Sequence, residues 1–309
     1  MGNPLRNRDP SIYRLITLRT EGAHLWLRPS KDVNLIIGGV LARYSEIFEV
    51  VLYAFIFLSN HYHLLIRCPR SNADEFEENL NREIARRLNW KLHKSGSFWA
   101  RRYSEQEVPS EDDLLEAFLY ITTNAVRHGL EANPALWLGL SSYNQSVTET
   151  PKTYPFYHYS AQRYEDRITH HTLKVSPLPQ FKRLSKVERI AKVQKLVKER
   201  VSRLIEERKA AGQGFLGAPA IKAQDPHTKP LEVSKSPRPI CYTKDSQVRR
   251  EFRKQEIMRR DEYDEASMRF RLGNWHVTFP EYTFKPPLHR KPRLLPFKPL
   301  PEDYFKIAS

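Results

Sequence analysis

Cysteine is nearly absent from this chain of 309 residues: Cys68 and Cys241 stand far apart and lack metal-type spacing. A disulfide framework or zinc ribbon is excluded as the organising principle, and a reducing, cytosolic home is expected. Long apolar runs are missing too. The longest covers residues 50–58, against the roughly 20 residues a membrane-spanning helix needs. The opening Met1-Gly2-Asn3-Pro4-Leu5-Arg6 has no hydrophobic signal core, and Arg6 stands where a myristoylation signal carries Ser or Thr. The expectation is a soluble cytoplasmic protein with no membrane contact. There is no internal repeat. The first half also lacks net positive charge: residues 1–150 carry 17 Lys and Arg against 18 Asp and Glu.

That last absence sharpens what is present. The whole chain has a formal charge of +15, so residues 151–309 hold all of the excess, 34 basic against 18 acidic side chains. A near-neutral folded module followed by a basic one that meets a polyanion, nucleic acid above all, is the natural reading. The boundary falls near 150, where Pro151, Pro155 and an aromatic-rich stretch intervene, giving a near-neutral module over 1–150 and a basic extension over 151–309.

Local patterns supply the elements. Residues 11–18 alternate as a strand. Val33, Ile36, Ile37, Val40 and Leu41 form the apolar stripe of a helix over 32–48. Strands near 50–58 and 61–67 follow, then a helix over 74–93 with acids early and Arg86, Arg87, Lys91 and Lys94 late, as the helix dipole prefers. Its basic end and Arg101 and Arg102 make a local cationic patch. Ser110, followed by Glu111, Asp112 and Asp113, caps a helix running to about Gly129. In the second half, residues 181–210 read as a long polar helix, 212–245 as loop, 246–271 as a basic helix, and the Pro-rich tail from 280 as extended. The set predicts an α+β fold: an antiparallel, ferredoxin-like sheet with helices on one face, plus a mainly helical basic extension.

The most telling chemistry is Asn60-His61-Tyr62-His63-Leu64-Leu65-Ile66. Two histidines two positions apart share a face only in a strand. On a helix they diverge by roughly 200°. A strand start with paired imidazoles suits one shared divalent metal ion, although His-x-His also arises by chance in half-buried strands. Ser59 and Asn60 suit the hairpin turn before it.

Tyr120 and Asn124 lie four apart on the helix begun at Ser110, hence on one face with Glu116 and Arg127. A tyrosine is a poor nucleophile at its ordinary pKa of about 10, but serves once its target is metal-activated. A phosphodiester beside two metal-bound imidazoles is such a target, and Asn124 offers a third, oxygen ligand. Elsewhere, Glu111, Asp112 and Asp113 read as helix capping, and His170 and His171 as a loop pair.

These residues, with Gly96-Ser97-Phe98-Trp99-Ala100-Arg101-Arg102-Tyr103, Leu119-Tyr120-Ile121-Thr122-Thr123-Asn124-Ala125-Val126-Arg127-His128-Gly129-Leu130 and Leu140-Ser141-Ser142, resemble the single-tyrosine HUH transposases associated with repetitive extragenic palindromes. The similarity covers residues 11–145, with four blocks in order and register. It implies an HUH endonuclease core in which His61, His63 and Asn124 bind Mg2+ or Mn2+ and Tyr120 is the nucleophile. The implied activity is a single-stranded DNA endonuclease-ligase working through a 5′-phosphotyrosine, in a prokaryotic, nucleoid-associated protein acting as monomer or homodimer. Ala125 replaces a usual Pro and Leu140 a usual Trp. Arg86, Arg87, Arg101, Arg102 and Arg127 are the expected phosphate contacts on single-stranded or hairpin DNA, with Trp99 and Tyr103 contacting or stacking on bases. The competing reading is a DNA- or RNA-binding regulator that has lost cleavage. A histidine-triad nucleotide hydrolase is disfavoured because Leu65 stands where that chemistry wants another histidine.

Overall fold

The computed structural model describes residues 5–159, 161, 163, 167–229 and 239–286; the predicted extended tail lies outside these beyond residue 286. Strand β1 (Tyr13–Arg19) leads through α1 (Lys31–Ile47) to β2 (Val51–Phe57). Then follow β3 (His61–Arg67), α2 (Ala73–Lys91) and β4 (Ser104–Val108). The four strands form one sheet in the order β2-β3-β1-β4, every pairing antiparallel. Strand β3 thus lies between β1 and β2, the split βαβ arrangement expected of a ferredoxin-like core.

Alternation along the strands separates two cores. Ile16, Leu18, Phe55, Tyr62, Leu64 and Ile66 face α1 and α2, whose apolar stripes supply Ile36, Val40, Phe76, Leu80 and Ile84. Leu15, Ala54, Ile56 and Leu65 face the other way, onto α3 (Glu111–Thr122) and α6 (Lys186–Ala210). So α1 and α2 hold one face as expected, and further helices cover the second. The open edges are closed as well. Beside β2, the amide of Phe57 donates to the carbonyl of Leu140 at 2.8 Å and that of Ser142 to Phe55 at 2.8 Å. Beside β4, Glu107 donates to Ile240 at 3.0 Å and Tyr242 to Glu107 at 2.8 Å. Covered edges leave no template for aggregation.

Three features depart from the sequence expectation. The helix begun at Ser110 does not run through to Gly129. It stops at Thr122, and a separate turn, α4 (Asn124–Arg127), follows. The hydroxyls of Thr122 and Thr123 donate back to the carbonyls of Phe118 and Leu119, each at 2.7 Å, and such back-bonding bends helices. The turn then closes in a Schellman arrangement: Leu130 donates to Ala125 at 2.9 Å, Gly129 to Val126 at 3.0 Å, and Gly129 takes φ +66°. A hairpin of β5 (Lys152–Tyr157) and β6 (Ile168–Leu173) places His170 and His171 on a strand rather than a loop. Within the predicted loop 212–245 lies a short helix, α7 (Gly217–Ala223). The remaining elements are α5 (Tyr143–Thr148) and α8 (Ser246–Arg271).

The basic half packs on the first half. The β5–β6 hairpin lies across α1, where Gly38 and Gly39 admit Tyr154 and Pro155. A Cβ on Gly39 would sit 2.1 Å from the carbonyl oxygen of Pro155. Backbone cannot yield as a side-chain tip can, so Gly39→Ala is expected to destabilise the protein by about 2 kcal/mol. A chemical denaturation midpoint measures this; an unchanged midpoint would refute the close docking. On the other face, Glu116 of α3 binds Arg200 of α6 at 2.5 Å and Lys244 at 2.8 Å. Among the described residues no helix is long and apolar enough to cross a membrane, and both cysteines are buried and free.

Candidate active site

The site grows out of the β2–β3 hairpin. Leu58 donates to the carbonyl of His61 at 2.8 Å, so Ser59 and Asn60 form a two-residue turn. Strand periodicity then sends Tyr62 to the α1–α2 core and His61 and His63 together to the α3 side. Their ring centroids are 5.0 Å apart. Each ring is held through Nδ1. The Asn60 amide donates to the carbonyl of Ala23 at 3.3 Å, which points its Oδ1 at His61 Nδ1, 2.7 Å away. Thr17, opposite His63 in the register, places its Oγ1 2.7 Å from His63 Nδ1. With the ring protons assigned to Nδ1, both Nε2 lone pairs are available. Such outer partners are what fix a metal-binding imidazole.

The surroundings keep these rings neutral. Loss of water, then the neighbouring His63, His128 and Arg19, drives His61 well below the ordinary histidine range. Burial, then His128 and Arg19, brings His63 down to about 3.

Tyr120 projects from the last turn of α3 onto this pair. Its ring lies 5.3 Å from that of His63 and its hydroxyl 3.4 Å from His63 Nε2, long for a hydrogen bond. Burial raises the phenol above 10, opposed by the amide of Asn124 and by Arg127, whose guanidinium lies 5.6 Å from the ring centre. Asn124 is fully buried at the start of α4, and neither side-chain atom has a hydrogen-bond partner at normal geometry. A buried amide in that condition is costly unless something else satisfies it. The four residues named as catalytic or metal-binding are therefore gathered into one cleft, although a kink, not a continuous helix face, brings Asn124 there.

Two neighbours were not singled out from the sequence. His128 lies at the exposed side of the turn, 6.0 Å from His61 between ring centroids. Its only sequence signal was its place in the block that closes at Gly129. Tyr242 comes from the segment paired to β4, with its ring 6.3 Å from that of Tyr120; burial, then Tyr120 and Glu116, pushes it up to about 12. Among the described residues, no three His, Cys, Asp or Glu side chains form a metal-holding group. An ion at this cleft would rely on the oxygen of Asn124 beside the two imidazoles, and the orphaned amide together with the free Nε2 atoms fits that donor set.

The predicted DNA contacts scatter. Arg127 stays at the cleft. Arg87 does not: it is 1% exposed, paired with Glu83 at 2.6 Å, and donates to the carbonyl of Tyr157 at 2.7 Å. It is a core ion pair under the β5–β6 hairpin, which corrects its assignment as a DNA contact. Arg86 shares Glu83 at 2.9 Å and lies over Tyr159. Trp99 is half-buried, its indole donating to the carbonyl of Asn81 at 2.9 Å and its ring edge-on to Tyr62 at 5.6 Å. Its role there is to brace β3 from behind. Arg101, Arg102 and Tyr103 line a separate cavity at the β4 edge.

Behind the histidines, the Tyr62 hydroxyl lies 2.8 Å from Glu77 Oε2 and 2.7 Å from Asn81 Oδ1. Burial pushes the Glu77 carboxyl up to about 7, against the hydrogen bonds from Tyr62 and Asn81 that favour its charge. The folded protein thus holds this proton more tightly than the unfolded chain, and stability falls as pH rises from the unfolded value towards 7. The loss amounts to about 3 kcal/mol. Glu77→Gln should remove that limb from a plot of unfolding free energy against pH; an identical slope in the variant would contradict the buried, raised carboxyl.

No family model matches the chain, and no curated protein matches it significantly. Solved structures similar to part of it include two transposases. A REP-associated tyrosine transposase, solved bound to a REP hairpin, aligns with 48% of this chain and 86% of its own length, at 15% identity and a TM-score of 0.41. A candidate transposase from Deinococcus radiodurans aligns with 34% of this chain and 84% of its own, at 20% identity and a TM-score of 0.28.

Proposed function

We propose that the chain is a transposase-type enzyme that nicks and rejoins single-stranded or hairpin DNA, with Tyr120 as nucleophile. The observation that carries this reading is the position of the Tyr120 hydroxyl, 3.4 Å from His63 Nε2 and on the same sheet face as His61. Mg2+ or Mn2+, held by His61, His63 and the Asn124 oxygen, would neutralise non-bridging phosphate oxygens and favour departure of the 3′ oxygen.

Tyr120 Oη attacks the phosphorus while the P–O3′ bond breaks. The phenolic proton ends on the departing 3′ hydroxyl and the 5′ phosphate stays on Oη. Attack by a 3′ hydroxyl reverses the exchange and rejoins a strand. Arg127 stabilises negative charge building on Oη, and Asn60 and Thr17 hold the imidazoles in orientation. The basic side chains of α6 and α8 supply attraction for the rest of the strand.

The test is incubation of the full chain with Mn2+ and a labelled single-stranded hairpin. A covalent protein–DNA adduct is the expected product. Binding without any adduct across a panel of hairpins would leave a nucleic-acid-binding regulator as the better reading.

A further inference from the structure

Opposite the histidine cleft, at the outer edge of β4, is a cavity of about 60 Å3, room for several waters or one tetrahedral oxyanion. Glu105 stands opposite Ile16 in the register, whereas Thr17 and the histidines belong to the other face, so the two sites lie on opposite sides of the sheet. Four distant parts of the chain build it: the N-terminal segment with Arg6, residues 101–107, Pro239 with Ile240, and α8 with Arg259.

Its polar balance is unusual. Four arginines line it, Arg6, Arg101, Arg102 and Arg259, against three glutamates, Glu105, Glu107 and Glu256. Arg6 binds Glu105 at 2.7 Å and lies 3.5 Å above the ring centre of Tyr103. Arg259 binds Glu256 through Nη2 at 2.6 Å, yet its Nε is buried with no hydrogen-bond partner. The Tyr103 hydroxyl is buried and partnerless as well. Both orphans are donors, and both belong to residues lining the cavity. Glu107 also lines the cavity, its carboxyl raised above the ordinary range by burial against a hydrogen bond from Asn7. Charged and donor groups clustered this way favour an acceptor-rich anion with tetrahedral oxygens.

We propose that this cavity binds a phosphate group through Arg259, Tyr103, Arg6 and Arg102. The site is independent of the nicking chemistry proposed for Tyr120. A phosphodiester of a bound strand and a free phosphate present the same oxygens, and the two sources separate by experiment.

The full chain, wild type and Tyr120→Phe, is titrated with inorganic phosphate at ionic strength matched with chloride, reading the melting temperature. In parallel, affinity for a labelled oligo-thymidine strand is measured across salt concentrations. Tyr103→Phe removes only a hydroxyl that bonds nothing, so its fold is retained, and Arg259→Gln removes the charge. Phosphate should raise the melting temperature of wild type and Tyr120→Phe alike, and the rise should shrink in both cavity variants. If the natural source is a strand, Arg259→Gln also loses about 0.7 from the slope of log affinity against log salt, Tyr103→Phe weakens the strand without changing that slope, and inorganic phosphate competes with the strand. If the source is free phosphate, that slope is unchanged. The proposal is overturned if phosphate gives no rise beyond chloride, or if the rise is the same in wild type, Tyr103→Phe and Arg259→Gln.

Discussion

Tyr120→Phe should abolish the covalent protein–DNA adduct and lower strand nicking by at least about 1,000-fold, because among the described residues no other hydroxyl stands within hydrogen-bond reach of His63 Nε2. The substitution is clean. The hydroxyl lies 3.4 Å from His63 Nε2 and beside the Asn124 amide, while the ring keeps its packing beside His63 and Tyr242. Stability should change by less than about 1 kcal/mol, so loss of activity cannot be ascribed to unfolding. Denaturation and adduct assays on one preparation make the comparison. Retained adduct in the variant would move the nucleophile elsewhere.

The second large effect concerns the histidines. His61→Ala and His63→Ala should each cut Mn2+-dependent nicking by more than about 100-fold, since losing a direct ligand costs more than the 10–100-fold typical of an outer partner. Thr17→Val tests the outer layer. It removes the group 2.7 Å from His63 Nδ1 and should weaken Mn2+ affinity by about 10–100-fold, read by electron paramagnetic resonance of free Mn2+ without DNA. Chelation by EDTA should stop nicking and added Mn2+ restore it. Nicking that survives chelation, or unchanged Mn2+ affinity in His63→Ala, would remove the metal from the account.

How far the sequence foretold this arrangement depends on the range over which each signal acts. The His61 and His63 pairing was legible because strand alternation is a two-residue property, and Ser59 and Asn60 signalled the turn that fixes it. The Ser110 cap was equally local, its side chain accepting from the amide of Asp113 at 3.1 Å. Past Thr122 the local signal misled. Apolar spacing continued, but two threonine hydroxyls turned inward and broke the helix, a choice that residue type alone does not fix.

The charged residues were harder still. Arg87 sits on an amphipathic helix among other basic residues, and only the docking of residues 152–157 makes it a core ion pair. Pro155 disguised that docking strand, because a strand interior seldom carries proline. Tyr242 reaches Tyr120 through backbone pairing at the β4 edge, more than 120 residues along the chain, for which no local pattern exists. The grouping of His61, His63 and Tyr120 was thus readable from short-range periodicity, and its second-half supports were not.

In the proposed reaction Tyr120 becomes covalently joined to a 5′ phosphate. The direct measurement is tandem mass spectrometry of the adduct formed with Mn2+ and a single-stranded hairpin, after nuclease and protease digestion. The expected result is a peptide spanning the end of α3 with the nucleotide remnant on Tyr120. A remnant on Tyr103 or Tyr242, or joined through a 3′ phosphate, would contradict it.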